Sequence, residues 1–258
     1  MAIAFSSRTL VAAALACAAG AASASSAWAG PVDLTAAGST DTINGAVFTQ
    51  VDPDPTGTGV IRSFVRLQSP GRDTVEEGHN TSGRDLLNDE NSSPQFTRDL
   101  LLSDLCETTI NDTAYYTFLL DINEPNNANA GGITLSQLKV YVSPSAGLLA
   151  TNPDTLGTKV YDLGVDNSVL MFDHNSGSGN GDYTVNIPQS LFDVAGGGTQ
   201  YVYLWSRFEN ATGGFEEWAS PCESTVAVPL PPAVWSGLIT CGMAGLVGLR
   251  TRLRGMKA

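Results

Sequence analysis

The segment from Ala233 to Leu249 contains 17 residues without a charge, and it constrains the architecture more than any other part of the chain. As a helix rising ~1.5 Å per residue it would span roughly 25 Å, the short end of what a bilayer core of ~30 Å accepts. Trp235 would lie at headgroup level. A buried core helix is the weaker alternative, because the segment has no amphipathic face. The residues that would stop translocation follow directly: Arg250, Arg252, Arg254 and Lys257. We therefore predict a transmembrane helix over 233–249 and a cationic cytoplasmic tail over 250–258.

The other end of the chain is typical of a secretory signal peptide. Arg8 supplies a short positive region, and the alanine-rich run from Leu10 to Ala22 supplies the apolar part. Ala27 and Ala29 flank Trp28 in the small-x-small pattern that signal peptidase recognises, so we predict cleavage after Ala29 and removal of residues 1–29. A lipoprotein signal through Cys17 is less favoured, because the preceding apolar run would be very short.

Between these ends, residues 30–232 are strongly acidic. Eight lysine and arginine residues stand against all 26 acidic residues of the chain, a net charge of −18. Such a surface repels nucleic acid and anionic lipid, so we expect no nucleic-acid partner. The same charge could attract divalent cations or cationic surfaces.

Short alternating apolar segments, separated by glycine, asparagine, aspartate and proline, dominate the region over 30–222. They predict an all-β ectodomain, a jelly-roll-like β-sandwich, joined by a linker over 223–232 to the single transmembrane helix. The predicted strands are 59–68, 115–123, 133–143, 158–163, 169–172, 183–188 and 201–208. The alternation slips within 133–143, which indicates a bulge or a strand start at Leu138. We also expect one helical turn over 188–194 and an irregular surface excursion over 71–99.

Two of the four cysteines, Cys17 and Cys241, lie in segments predicted to be removed or embedded in the membrane. The remaining pair, Cys106 and Cys222, would lie in an oxidising compartment. We therefore predict a disulfide between Cys106 and Cys222.

Sequence signatures of catalysis are scarce, and we expect the protein not to be an enzyme. The chain has two histidines, no G-x-S-x-G elbow and no HExxH or CxxC motif. Glu76, Glu77 and His79 could ligate a metal or act as acid and base, but a solvated loop is favoured. Glu216 and Glu217, beside two aromatic residues, could form a sugar-binding edge or a glycosidase pair. Packing of Phe215 and Trp218 at a strand end is favoured instead.

Calcium is the one candidate cofactor, because clusters of side-chain oxygens are the ligands that hard cations prefer. The leading set is Asp121, Asn123 and Glu124, at the end of a predicted strand. Asp52 with Asp54 form a second set. Asp173, Asn175, Asn180 and Asp182 form a third, whose alternative is a flexible hairpin loop.

The C-terminal segment contains a proline motif: Val228, Pro229, Leu230, Pro231 and Pro232. The order of the predicted segments resembles that of the PEP-CTERM class of exported bacterial proteins, in its VPLPA-type variant. These segments are the signal peptide, the ectodomain, the proline motif, the glycine-bearing apolar helix and the terminal arginines. Leu230 stands where the commonest form has glutamate, and Pro232 where alanine is usual. A looser resemblance to exported proteins with this tail covers 77–81, 100–104, 118–124 and 214–218.

The resemblance implies an exported protein that is membrane-anchored until an exosortase-like peptidase cleaves near the motif. It implies a structural or adhesive role at the cell surface, in the envelope or in an extracellular polysaccharide or biofilm matrix. The alternatives are a calcium-dependent carbohydrate-binding module and, more remotely, a glycan hydrolase using Glu217 or Glu124.

Overall fold

The computed structural model describes residues 30–51, 61–69, 73–124, 132–175, 179, 181–194 and 196–222. The predicted signal peptide, the linker with its proline motif, the transmembrane segment and the cationic tail lie outside these residues, as do Asp52, Asp54 and Asn180. Across the described ranges, no helix is both long enough and apolar enough to cross a bilayer.

The described part of the chain is built almost entirely of β-strands. In chain order they are β1 (Val32–Asp33), β2 (Thr40–Ile43), β3 (Ala46–Gln50), β4 (Ser63–Leu67), β5 (Val75–His79), β6 (Leu100–Leu101), β7 (Cys106–Ile110), β8 (Thr113–Ile122), β9 (Ile133–Ser143), β10 (Thr158–Asp162), β11 (Val169–Met171), β12 (Tyr183–Pro188), β13 (Tyr201–Glu209) and β14 (Glu216–Ala219). Three short 3-10 helices cover Leu102–Asp104, Pro153–Thr155 and Gln189–Val194. The all-β prediction is thus confirmed, and so is the helical turn before Val194.

The strands form two sheets. The first has the order β1-β11-β9-β13-β5, with β10 also pairing with β9 and β6 with β13. The second has the order β2-β3-β12-β8-β14-β4, with β7 also pairing with β8. Among the described strands every pairing is antiparallel except β1 with β11. From β11 to β14 the chain alternates between the sheets.

One buried apolar cluster joins the two sheets. The second sheet contributes Phe48, Phe64, Phe118, Val185 and Trp218 among others, and the first contributes Leu138, Val140, Val202, Leu204 and Phe208. Side chains alternate along a strand, so each sheet turns its apolar face toward this shared core. The core therefore lies between the two layers.

A second cluster covers the opposite face of the first sheet. It contains Tyr141, Tyr203 and Trp205, packed against Ala150 and Leu156 of the connection between β9 and β10. The buried Tyr203 hydroxyl donates to the Ser145 carbonyl at 2.8 Å, which ties this connection to the sheet. Because both faces of β9 and β13 are covered, these strands are apolar along most of their length.

The predicted irregularity in 133–143 is present. β9 runs unbroken from Ile133 to Ser143, but its pairing with β13 shifts: Gln137 lies opposite Arg207, whereas Leu135 lies opposite Phe208. Ser136 is the extra residue of a β-bulge. The bulge explains the phase slip, because it keeps both Leu135 and Leu138 buried in the core.

The predicted excursion over 71–99 is partly wrong. Residues 75–79 form β5, an antiparallel partner of β13. Two glutamates and a histidine give this strand a polar sequence, yet Glu76 and His79 are buried. Asn80, directly after β5, is also buried and bridges β13 by donating to the Val202 carbonyl and accepting from the Leu204 amide.

A disulfide joins Cys106, the first residue of β7, to Cys222, three residues beyond the end of β14. It spans 116 positions of the sequence and agrees with the predicted pairing. The bond attaches the end of the described domain to the strand at the side of β8.

Candidate functional site

Five carboxylates gather at one end of the two sheets, and we refer to them as the acidic cluster: Glu76, Asp121, Glu124, Asp173 and Glu216. The negative charges of Glu76, Asp121, Glu124 and Asp173 each raise the pKa of at least one other member. They come from β5, β8, β14 and the segments that follow β8 and β11. The sequence prediction included only Asp121 and Glu124 in its leading set.

Asp121 lies near the end of β8, on the outer face of the second sheet, because its neighbours Leu120 and Ile122 face the core. Its Oδ2 accepts a hydrogen bond from the Gly179 amide at 2.7 Å, whereas its Oδ1 has no partner. Burial raises the pKa of Asp121 to about 6, and the charges of Glu217 and Asp173 act in the same direction.

Asn123 and Glu124 extend beyond β8 in different surroundings. The Asn123 side chain lies near enough to Asp121 to hydrogen-bond with it, which opposes the rise in the pKa of Asp121. Glu124 is held by Thr212, whose amide donates to its two carboxylate oxygens at 3.0 and 2.9 Å and whose hydroxyl also donates. Gly214 packs against the Asn123 carbonyl so closely that a Cβ there would overlap the oxygen.

Asp182 organises the segment between β11 and β12. Its carboxylate accepts backbone hydrogen bonds from Ile122, His174 and Asn175 at 2.8 to 2.9 Å. Asn175 adds donations to the Val51 and Gly181 carbonyls. Asp182 and Asn175 thus fasten this segment to the second sheet, whereas Asp173 belongs to the acidic cluster.

Asp182 should make stability depend on pH. Burial raises its pKa to about 7, against an ordinary value of 3.8. Because the folded state binds this proton more tightly, its contribution to stability is complete below about pH 4 and is lost as the pH rises to about 7. We expect the free energy of unfolding to fall over this window without divalent cations, and to fall less in Asp182→Asn. Urea unfolding at several pH values measures both slopes.

Asp182→Asn should also cost about 1–3 kcal/mol near pH 7, since the new amide would face the Ile122 N–H and leave it without an acceptor. The exposed Asp166 supplies the matched control, because Asp166→Asn should keep the wild-type slope. Equal slopes in wild type and Asp182→Asn would contradict this role.

The predicted grouping of Glu76, Glu77 and His79 on a solvated loop is wrong. All three lie on β5, where Glu76 faces the core and Glu77 and His79 lie on the opposite face. Glu77 faces outward and pairs with Arg207 at 2.7 Å. His79 is buried, with Nδ1 3.1 Å from Glu90, Nε2 3.1 Å from the Leu148 carbonyl and its ring stacked on Trp205. The three side chains therefore serve different parts of the fold.

The alternative of a sugar-binding edge formed by Glu216, Glu217 and Trp218 is also wrong. Trp218 is fully buried, and its indole N–H donates to the Ser206 hydroxyl at 3.1 Å. Glu216 shares the inner face with Trp218, whereas Glu217 faces outward and binds the Arg66 Nε at 2.9 Å. The two glutamates point to opposite faces, so they cannot flank one glycosidic bond.

Sequence reasoning missed the pairing of Glu76 with Glu216. Glu76 lies opposite Phe208, and Glu216 lies opposite Ile122. Phe208 and Ile122 belong to the shared core, so both glutamates point between the sheets. Burial raises the pKa of Glu216 well above its ordinary value, and the neighbouring Glu76 raises it further. The position of Glu216 two residues before Trp218 was the available signal.

A cleft of about 410 Å³ opens beside Glu76. Its lining includes the polar residues Ser69, Asp73 and Thr212 as well as Glu76. In the described part of the chain, no three histidine, cysteine, aspartate or glutamate side chains already converge as a ligand set for one metal ion. Any bound ion would need some of these side chains to rotate and water to complete its shell.

Comparison of the chain with protein-family models, with curated proteins and with solved structures gives no match.

Proposed function

We propose that this chain is an exported bacterial protein of the cell surface or extracellular matrix, with a structural or adhesive role. Its domain over 30–222 would be a β-sandwich of jelly-roll type, and an exosortase-like peptidase would process its C-terminal segment. The protein would be membrane-anchored through 233–249 before processing. The signal peptide, the proline motif and the terminal cations support this proposal.

The observation that carries the proposal is the position of the disulfide. Cys222 is bonded to Cys106, and Val228 follows only six residues later. The disulfide thus links the end of the domain covalently to β7, immediately before the segment that would anchor or sort the protein. A load on that segment would pass through the disulfide into β7 and β8, so it would not peel β14 from its sheet.

The architecture supports the jelly-roll interpretation. The two sheets share one core, and the strands from β11 to β14 alternate between them. Frequent crossing between two antiparallel layers is typical of jelly rolls. The net charge of −18 over 30–232 also suits a protein that must stay soluble outside the cell.

The intact mass of the mature protein from its native envelope tests the proposal. We expect a chain that begins at Gly30, ends between Pro229 and Pro232 and is lighter by the two hydrogens of one disulfide. The double variant Pro229→Ala, Pro231→Ala should keep residues 233–258, whereas Pro144→Ala, at an exposed loop proline, should be processed normally. A wild-type mass that retains Arg250 to Ala258 would instead mean a permanent membrane anchor.

The cleft beside Glu76 favours a second candidate, a calcium-dependent carbohydrate-binding module. Its lining offers hydroxyl, carboxylate and amide groups of the kind that bind sugar hydroxyls. Retention of the protein on extracellular polysaccharide that a chelator abolishes would favour this module over a purely structural role.

A further inference from the structure

The inner-face pair of Glu76 and Glu216 has an unusual environment for two carboxylates. They project from opposite sheets into the shared interior, and they are 2% and 0% exposed. The Ser69 amide donates to Glu76 Oε1 at 3.1 Å. Glu76 Oε2 and both oxygens of Glu216 accept no hydrogen bond from another described residue, and the two carboxyl groups lie within hydrogen-bonding reach of each other. Neither carboxylate has an ion pair with a lysine or arginine of the described residues.

This arrangement is costly unless something positive lies between the two groups. An ionised carboxylate buried without a partner is strongly unfavourable, and two that face each other also repel. Two agents can relieve the cost. A shared proton makes one carboxyl a donor to the other, and a bound cation neutralises both.

Further oxygen ligands and a path from solvent favour the cation. Glu124 is near enough to Glu216 for its charge to act on it. Glu124 is only half-buried, and Thr212, which holds it, lines the same cleft as Glu76. An ion entering this cleft would meet the carboxylate of Glu76, and Thr212 connects the cleft to Glu124.

We propose that Glu76 and Glu216, with Glu124 held by Thr212 of the cleft, bind a divalent cation, and that the cation is calcium. Calcium takes six to eight oxygen ligands in flexible geometry, including carboxylates and water. It therefore suits a site where two buried carboxylates are fixed and the remaining ligands adjust. The site joins β5 to β14, so calcium links the two sheets at this end of the domain. It does not depend on the proposed export or sorting of the chain.

Calorimetry and thermal unfolding of the full chain in detergent, after treatment with a chelator, test the site. We expect calcium at about one hundred times its Kd to raise the Tm by about 5 °C or more. Glu216→Gln should weaken calcium binding at least tenfold, and without calcium it should melt higher than wild type, since it removes the repulsion. Glu77→Gln is the matched control, because Glu77 is on the same strand but faces outward, and it should behave as wild type.

Three outcomes would overturn the site. If calcium added to the wild-type protein produces no heat of binding and no change in Tm, the protein binds no calcium. A Tm gain in Glu216→Gln without any calcium effect in wild type means that the pair shares a proton instead. Calcium binding that survives both Glu216→Gln and Glu76→Gln places the ion elsewhere.

Terbium luminescence keeps the test independent of how the variants fold. Trp218 lies two residues from Glu216 on the same face of β14, so its excitation should sensitise terbium bound to wild type. Calcium should then displace the terbium and remove the emission. Absence of sensitised emission at saturating terbium would count against the site.

Discussion

Replacing Cys106 and Cys222 with alanine should lower the free energy of unfolding by about 4–5 kcal/mol. The disulfide closes a loop across 116 positions, and the chain-entropy model assigns a loop of that length about this much stabilisation through the unfolded state. The loss is a large fraction of the 5–15 kcal/mol typical of a whole domain. Guanidinium unfolding of the full chain in detergent measures the difference.

The control for this prediction is Cys241→Ala, which removes a cysteine outside the described domain and should leave stability unchanged. Reduced wild type should unfold at the same denaturant concentration as the double alanine variant. A loss below about 1 kcal/mol would show that the bond adds little to a domain already closed by its two sheets.

The strands that were predicted from the sequence are those whose buried residues form a clear apolar pattern. β8, β9 and β13 lie inside their sheets and combine long apolar stretches with β-branched and aromatic residues, so their pattern is visible without tertiary information. The irregularity in β9 was visible for the same reason, because an extra residue must shift the alternation. The prediction placed it at Leu138, whereas the extra residue is Ser136.

The strands that were missed carry weaker or contrary patterns. β5 reads Val-Glu-Glu-Gly-His, and its buried polar residues depend on partners in other elements, such as Glu90 for His79. The β2–β3 hairpin did have a local signal, since Asn44 and Gly45 have φ values of 49° and 87°. Asn-Gly between alternating segments is a strong hairpin indication, and the sequence analysis did not use it.

The acidic cluster shows a different limit of sequence reasoning. Asp121, Asn123 and Glu124 were grouped because they are neighbours in the chain, yet strand alternation sends Asp121 outward. The pair of Glu76 and Glu216 comes from opposite sheets and distant parts of the sequence. Only the register of β5 against β13 and of β14 against β8 brings these two residues face to face. A local pattern can indicate that Glu216 shares the face of Trp218, but it cannot identify Glu76 as its partner.

The second large effect is expected at Trp218. Trp218→Ala should destabilise the protein by about 3–5 kcal/mol, because it removes the largest fully buried side chain among the described residues and leaves a cavity that the two sheets cannot close. It also leaves the buried Ser206 hydroxyl without its indole donor. Urea unfolding of the full chain in detergent, at fixed pH and calcium concentration, measures the change.

Two variants separate the contributions at this position. Trp218→Phe keeps most of the apolar volume but loses the hydrogen bond to Ser206, so we expect it to cost about 1–2 kcal/mol. Phe215→Ala removes a partly exposed ring that stacks on Arg66 outside the core, and it should cost about 1 kcal/mol. If Trp218 instead served as a surface platform for a sugar, Trp218→Ala would abolish glycan binding and leave the unfolding midpoint unchanged. The burial of its ring between the sheets predicts the opposite result.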